Sequence, residues 1–102
     1  MRVLVLDIGG TFTKYACMDE AMRFLERGKI PTPQDSRESL IEALGQIYDG
    51  LLPLDGIALA MPGIIDPEQG CCRMGGALRY NDGFFLRQAL YRRCPVRICM
   101  EN

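Results

Sequence analysis

The chain has 102 residues, 48% of them hydrophobic and 25% charged, which is typical of one soluble globular domain with a single core. Its formal net charge of −1 comes without a basic run, so nucleic acid and anionic membranes are disfavoured as partners. No apolar stretch approaches the roughly 18 residues that span a bilayer, and no signal peptide is recognisable, so a cytoplasmic protein is expected. A domain of this size buries little more than ~60% of its surface, so exposed apolar area favours association, and we expect a homodimer.

The cysteines and the absence of histidine restrict the possible chemistry. Five cysteines, an odd number without a CxxC pair, predict free thiols and neither a disulfide framework nor a zinc site. Because the sequence contains no histidine, any general base must be a carboxylate.

Three strands and a helix are predicted in the first half of the chain. Residues 2–7 form an apolar run closed by a glycine turn, residues 11–18 are again strand-like, and residues 21–30 supply a third strand before two prolines. These strands predict an antiparallel meander. Residues 36–48 carry apolar side chains at helical spacing, with Ser36 or the aspartate before it as the N-cap.

The second half contains a strand, a long loop, a helix and a last strand. Residues 54–61 form a short buried strand, which after a helix implies a parallel crossover and hence a mixed sheet. Residues 64–82 are rich in turn residues and predict an irregular excursion with a short hairpin. Residues 83–93 return to helical spacing, and residues 96–100 form the last strand. The predicted fold class is α/β, a mixed five-stranded sheet with flanking helices, and the whole chain, 1–102, is expected to be a single domain.

The string DIGGTFTK (residues 7–14) combines groups that suit a phosphate site. The two glycines permit positive φ and a close approach of the backbone to phosphate oxygens. The threonine hydroxyls can donate hydrogen bonds, the lysine supplies positive charge, and the aspartate can hold Mg²⁺ or its water shell. A tight hairpin in which the glycines only match the strand twist fits the same spacing, so the spacing alone leaves both readings open. The candidate phosphate-site residues are Asp7, Gly9, Gly10, Thr11, Thr13 and Lys14, with Asp7 also the candidate metal ligand.

This string resembles the first phosphate motif of the ROK family of sugar kinases, within the superfamily that includes heat-shock chaperones and actin. AMPGIIDPEQG (residues 60–70) and PVRICMEN (residues 95–102) are similar, in the same order, to two further segments of that family. The resemblance implies a glucokinase-like transferase of carbohydrate metabolism that uses ATP and Mg²⁺. It also implies that this chain is the ribonuclease H-like, actin-like ATPase N-terminal lobe of such a kinase.

The resemblance further implies roles at a sugar site. Gly63 would let the backbone approach the sugar substrate, and Asn102, whose amide can both donate and accept, would bind sugar hydroxyls. The family's catalytic aspartate immediately follows that asparagine. We therefore expect the chain to stop short of the catalytic base and of a second, C-terminal lobe, and no catalytic residue is assigned within it.

Simpler explanations exist for several residues near the expected cleft. The Pro-Gly dipeptide at residues 62–63 is a frequent turn marker. Asn81 and Asp82 suit an Asx turn that caps the helix predicted from residue 83. Arg79 and Tyr80 fit a solvated surface loop as well as a contact to a charged or N-acylated sugar.

The expected function is ATP-dependent phosphorylation of a hexose or N-acetylhexosamine by the full-length protein, the isolated piece being inactive. Two alternatives remain: a sugar-sensing transcriptional regulator of the ROK family and a non-catalytic interaction module. Such regulators carry their DNA-binding segment before the DIGGT-like strand, and only six residues precede Asp7 here, which favours the kinase.

Overall fold

Strand β1 lies at the centre of a five-stranded mixed sheet in the computed structural model, which describes residues 1–101. The strand order is β3-β2-β1-β4-β7, and β5 pairs with β6 in a separate hairpin. Strands β1, β2 and β3 are antiparallel neighbours, whereas β4 is parallel to β1 and to β7. The predicted five-stranded mixed sheet is therefore confirmed. The strands are β1 (Arg2–Ile8), β2 (Phe12–Asp19), β3 (Phe24–Pro31), β4 (Gly56–Ala60), β5 (Ile64–Asp66), β6 (Cys71–Met74) and β7 (Arg97–Glu101), and the helices are α1 (Arg37–Gly50), α2 (Leu86–Arg93) and a 3-10 turn (Arg79–Asn81).

One face of the sheet forms the core together with both helices. Successive side chains of a strand point to opposite faces, and in β1 this alternation buries Leu4, Leu6 and Ile8 while Asp7 is exposed. Helix α1 contributes side chains four residues apart, among them Leu40 and Leu44, and both are fully buried. The apolar side chains whose spacing predicted these strands and helices therefore pack into one shared core.

The opposite face of the sheet carries smaller and more polar side chains. Val5 is half-buried there, with Ala58 and Ala16 as its partners on the adjacent strands. One step along β1, Asp7 is paired with Ala60 on β4 and with Lys14 on β2. The carboxyl-terminal ends of β1 and β4 therefore lie side by side at the end of the sheet that carries Asp7.

Helix α1 begins as predicted from its capping residue. The Ser36 hydroxyl oxygen accepts a hydrogen bond from the Ser39 backbone N–H at 3.1 Å, which satisfies one donor of the first turn. The helix ends at Gly50, where the Leu51 N–H donates to the Tyr48 carbonyl at 3.1 Å. Neither α-helix within residues 1–101 has the length and apolar character needed to cross a membrane.

Helix α2 starts later than the sequence predicts. The prediction placed its start at Gly83, but the helix begins at Leu86, and no side chain caps it. Gly83 has a φ of 70°, outside the helical region, and its N–H donates to the Cys72 carbonyl at 2.8 Å. The expected Asx cap is also wrong, since Asp82 accepts the Gly75 N–H at 2.7 Å and thereby closes the preceding loop.

The two helices are joined by one arginine. Arg93, in the last turn of α2, forms ion pairs with Glu42 at 3.1 Å and with Asp49 at 2.6 Å on α1. The hydrogen bond from Arg93 holds the pKa of the Asp49 carboxyl below its ordinary value. This cluster ties together two helices that are distant in the sequence.

Candidate functional site

The turn between β1 and β2 spans residues 9–11 and is here called the phosphate turn. The Gly9 N–H closes it by donating to the Phe12 carbonyl at 2.9 Å. Neither Gly9 nor Gly10 uses the positive φ that glycine permits, because neither lies in the left-handed region. Glycine is required there for space: a Cβ on Gly9 would lie 2.7 Å from the Phe12 oxygen, and one on Gly10 would lie 2.8 Å from the Ala77 Cβ.

The segment after β3, residues 32–34, lies against the phosphate turn and is here called the strap. The Thr32 hydroxyl donates to the Gly9 carbonyl at 2.8 Å, and the Gln34 side-chain amide donates to the Gly10 carbonyl at 2.7 Å. The Thr32 backbone N–H donates to the Thr11 carbonyl at 2.8 Å. Three consecutive carbonyls of the turn are therefore bound by the strap.

The backbone N–H groups of the phosphate turn differ from its carbonyls in their hydrogen bonding. Within residues 1–101, the N–H groups of Gly10 and Thr11 have no hydrogen-bond acceptor. Unpaired backbone N–H groups of a turn are a common way to bind an anion. The phosphate site predicted from the sequence therefore stays a prediction, and the turn offers it two N–H donors.

Thr13 lies behind the turn and not on its outer surface. Its side chain is fully buried, and its hydroxyl is 2.8 Å from that of Thr32. The expectation that Thr13 donates directly to a phosphate is therefore corrected: its hydroxyl is engaged with the strap. Thr11 and Lys14 are exposed, and their side chains are accessible for the predicted contacts.

The Asp7 carboxylate is exposed and makes no hydrogen bond or ion pair with any other residue in the range 1–101. Lys14 is its register partner on β2, but no ion pair forms between them. A carboxylate without a protein partner suits Mg²⁺, which usually takes one or two carboxylates together with phosphate oxygens and water. No group of three His, Cys, Asp or Glu side chains within the described chain forms an all-protein metal cage, so Asp7 could act only with other ligands.

The loop of residues 75–82, here called the sugar-side loop, lies between the phosphate turn and the Pro-Gly turn after β4. Gly63 has a φ of 99°, and a Cβ there would collide with the Met74 carbonyl oxygen. A Cβ on Gly76 would lie 2.8 Å from the Gly63 nitrogen. Together with the contact between Gly10 and Ala77, these approaches bring the two predicted subsites onto one continuous surface.

Tyr80 differs from the solvated loop residue that the sequence suggested, and Asn81 differs from the Asx turn expected there. Tyr80 is half-buried and its hydroxyl donates to the Pro33 carbonyl at 2.7 Å, so the sugar-side loop is tied to the strap. Burial raises the pKa of the Tyr80 phenol. Asn81 is fully buried, and among residues 1–101 neither polar atom of its side-chain amide has a hydrogen-bond partner.

Asn102, the second predicted sugar ligand, lies outside the described residues. Its predecessor Glu101 ends β7, where its carbonyl accepts the Met61 N–H at 3.1 Å. The end of β7 thus lies beside the Pro-Gly turn that contains Gly63.

The strap was not predicted as part of the site. Its sequence, TPQ at residues 32–34, was interpreted only as part of the break after the third strand. Side-chain hydroxyl and amide groups directly after a strand were the available signal, but nothing local connects them with Gly9 and Gly10.

Comparison with known proteins identifies relatives of this chain. The chain is 31% identical, over its whole length, to a β-glucoside kinase from Klebsiella pneumoniae, of which it covers 34%. It also superposes along its whole length on two solved structures. One is a ROK hexokinase from Thermus thermophilus, with 26% identity, a TM-score of 0.88 and 35% of that chain covered. The other is a ROK family protein from Streptococcus pneumoniae TIGR4 in complex with sucrose, with 30% identity, a TM-score of 0.87 and 34% of that chain covered.

The chain spans about a third of the length of these relatives. The likeness of fold confirms the predicted fold class. The sequence profile of the ROK family matches residues 3–102, and the chain belongs to the ROK family.

Proposed function

We propose that the protein is an ATP-dependent sugar kinase, in which this chain supplies the phosphate turn and one wall of the sugar site. The observation that carries the proposal is the phosphate turn itself. Its carbonyls are bound by the strap, while within residues 1–101 two of its N–H groups have no acceptor and the Asp7 carboxylate near the end of β1 has no partner. The named kinases among the relatives support the same activity.

In this proposal the chain positions the nucleotide phosphates. The N–H groups of Gly10 and Thr11 and the Thr11 hydroxyl donate to phosphate oxygens, and Lys14 adds positive charge nearby. When bound, Mg²⁺ would neutralise phosphate charge, with Asp7 as its protein ligand directly or through water. Positioning and charge stabilisation supply most of the rate in phosphoryl transfer, so these roles are sufficient for one lobe.

The sugar hydroxyl attacks the γ-phosphorus of ATP, the bond from that phosphorus to the β,γ-bridging oxygen breaks, and ADP leaves. The hydroxyl proton passes to a carboxylate base, which the resemblance places immediately after Asn102. Gly63 and the sugar-side loop form the wall against which the sugar lies. A second lobe, supplied outside these residues, would complete the cleft and exclude water.

The substrate class in this proposal is a hexose or an N-acetylhexosamine. The Klebsiella relative is named for β-glucosides, so a glucose unit carrying a β-substituent belongs in the same test. We further propose that the protein is cytoplasmic and forms a homodimer, and sedimentation of the full-length protein measures the oligomeric state directly.

The experiment is ADP production by the full-length protein against glucose, mannose, N-acetylglucosamine, N-acetylmannosamine and cellobiose. Asp7→Asn preserves the size of the side chain and removes its charge, and we expect it to reduce kcat by about a hundredfold or more. Asp55→Asn is the matched control, because Asp55 is exposed and lies at the other end of the sheet from the turn.

Each result separates the candidates. Sugar-dependent ADP production that needs Asp7 supports the kinase. A protein that binds sugars and never consumes ATP is instead the sugar-sensing regulator, and one that binds neither ligand is the interaction module.

A further inference from the structure

The strap controls which way the peptide groups of the phosphate turn point. A trans peptide unit is planar, so the carbonyl of one residue and the N–H of the next point in opposite directions. The Gly9 carbonyl points at the Thr32 hydroxyl, and the Gly10 carbonyl points at the Gln34 amide. The N–H groups of Gly10 and Thr11 therefore point away from the strap, and these are the two turn donors that have no acceptor in the part of the chain that the structure describes.

We propose that Thr32 and Gln34 are positioning residues of the phosphate site. This rests on the proposed function, and it assigns to the strap the orientation of the donors that bind the nucleotide phosphates. Neither residue touches the phosphate. They hold two carbonyls away from it, and a carbonyl turned toward an anion would repel it.

The buried half of the strap has a fixed direction of hydrogen bonding. Thr32 is 3% exposed, and its single hydroxyl proton is donated to the Gly9 carbonyl. The neighbouring hydroxyl of Thr13 must then donate to Thr32, since the two oxygens are 2.8 Å apart. This relay of two hydroxyls ends on the Gly9 carbonyl and fixes its orientation from inside the core.

The exposed half of the strap acts through one side chain. The Gln34 amide nitrogen donates to the Gly10 carbonyl at 2.7 Å and to the Thr32 carbonyl at 2.9 Å. It thus bridges the turn and the strap backbone. Because Gln34 is exposed, its replacement tests the idea without opening a cavity in the core.

The test uses the full-length protein and the KM values for ATP and for the sugar, measured separately. Thr32→Val and Gln34→Leu remove the donors and preserve approximate size, whereas Thr32→Ser retains the hydroxyl. We expect the KM for ATP to rise roughly fivefold in the first two variants, which corresponds to about 1 kcal/mol of lost hydrogen bonding. Thr32→Ser should stay within about twofold of wild type. The matched control is Gln46→Leu, an exposed glutamine on α1 whose side chain makes no hydrogen bond to any described residue.

A purely structural role would change both substrates alike, so an equal rise in the two KM values overturns the proposal. An unchanged KM for ATP in Gln34→Leu and Thr32→Val also overturns it, while the kinase assignment stands.

A second readout does not depend on kinase activity. The backbone amide resonances of Gly10 and Thr11, followed by NMR, should shift in Gln34→Leu and Thr32→Val and stay in place in Gln46→Leu. If they do not shift, the strap does not orient the turn. If they shift and wild type binds no ATP, the proposed function has failed and the phosphate role of the strap fails with it.

Discussion

Replacing Gly10 with alanine adds one methyl group at the contact between the phosphate turn and the sugar-side loop. The new Cβ would lie 2.8 Å from the Ala77 Cβ, whereas carbon atoms in contact are about 3.5 to 4.0 Å apart. The two segments must therefore separate by about 1 Å. Overpacking of this kind costs roughly 1 to 3 kcal/mol of unfolding free energy. Gly10 is not in the left-handed region, so backbone strain does not add to that cost.

A compensating change makes the reasoning testable. Ala77→Gly removes the methyl group that the new Cβ meets, and alone it should cost about 0.4 to 1 kcal/mol through the entropy of the unfolded chain. In the double variant the clash is absent, so we expect a favourable coupling of roughly 1 to 2 kcal/mol between the two changes. Urea unfolding of the wild type, both single variants and the double variant measures that coupling, and ATP titration of the same four proteins reports the geometry of the turn. Additive effects, with a coupling below about 0.3 kcal/mol, would refute the contact.

Three further predictions concern other parts of the chain. Thr13→Val should lower the unfolding free energy by about 1 kcal/mol and weaken ATP binding less than Thr32→Val does, because Thr32 keeps its own hydrogen bond to the Gly9 carbonyl; a loss of affinity larger than that of Thr32→Val would mean that the Thr13 hydroxyl reaches the phosphate. Cys72 should resist iodoacetamide at pH 8 because burial raises the pKa of its thiol to about 11, whereas the less buried Cys71 should react, and tandem mass spectrometry of the peptide that contains both distinguishes them. Arg93 lowers the pKa of the Asp49 carboxyl, so their ion pair stabilises the fold above the ordinary aspartate pKa of about 4. This stabilisation is lost as the pH falls through the lowered pKa of Asp49 in the folded protein. The stability difference between wild type and Arg93→Gln should accordingly narrow between about pH 5 and pH 2 in urea unfolding, and a constant difference would contradict the shift.

The main elements of the fold could be predicted because their signals are local. Alternating burial in β1 and the Ser36 cap of α1 depend on residues a few positions apart. The start of α2 could not be predicted, because the backbones of Gly83 and Phe84 form hydrogen bonds with the strand residue Cys72 instead of continuing the helix. That bridge depends on a contact between segments, and helical periodicity carries no information about it.

The candidate site was predicted in part for the same reason. DIGGTFTK indicates a turn, but the string does not show whether its glycines serve conformation or space, and the structure shows space. The buried position of Thr13 and the role of Thr32 both follow from the pairing of β2 with the strand before the strap. Gln34 reaches Gly10 across 24 positions in the sequence, so no local motif could assign it.

The hydrogen bonds that shape the phosphate turn also determine when the turn can form during folding. The hydrogen bond from Thr32 to Gly9 closes a separation of 23 residues, and the one from Tyr80 to Pro33 closes 47. Closing such loops costs chain entropy before the contacts return any stability, and contacts of long sequence separation slow folding. The amides of the turn therefore acquire their orientation only where the strap has docked against the turn. A hairpin peptide carrying DIGGTFTK would display every residue of the motif and still lack the peptide orientations on which anion binding depends.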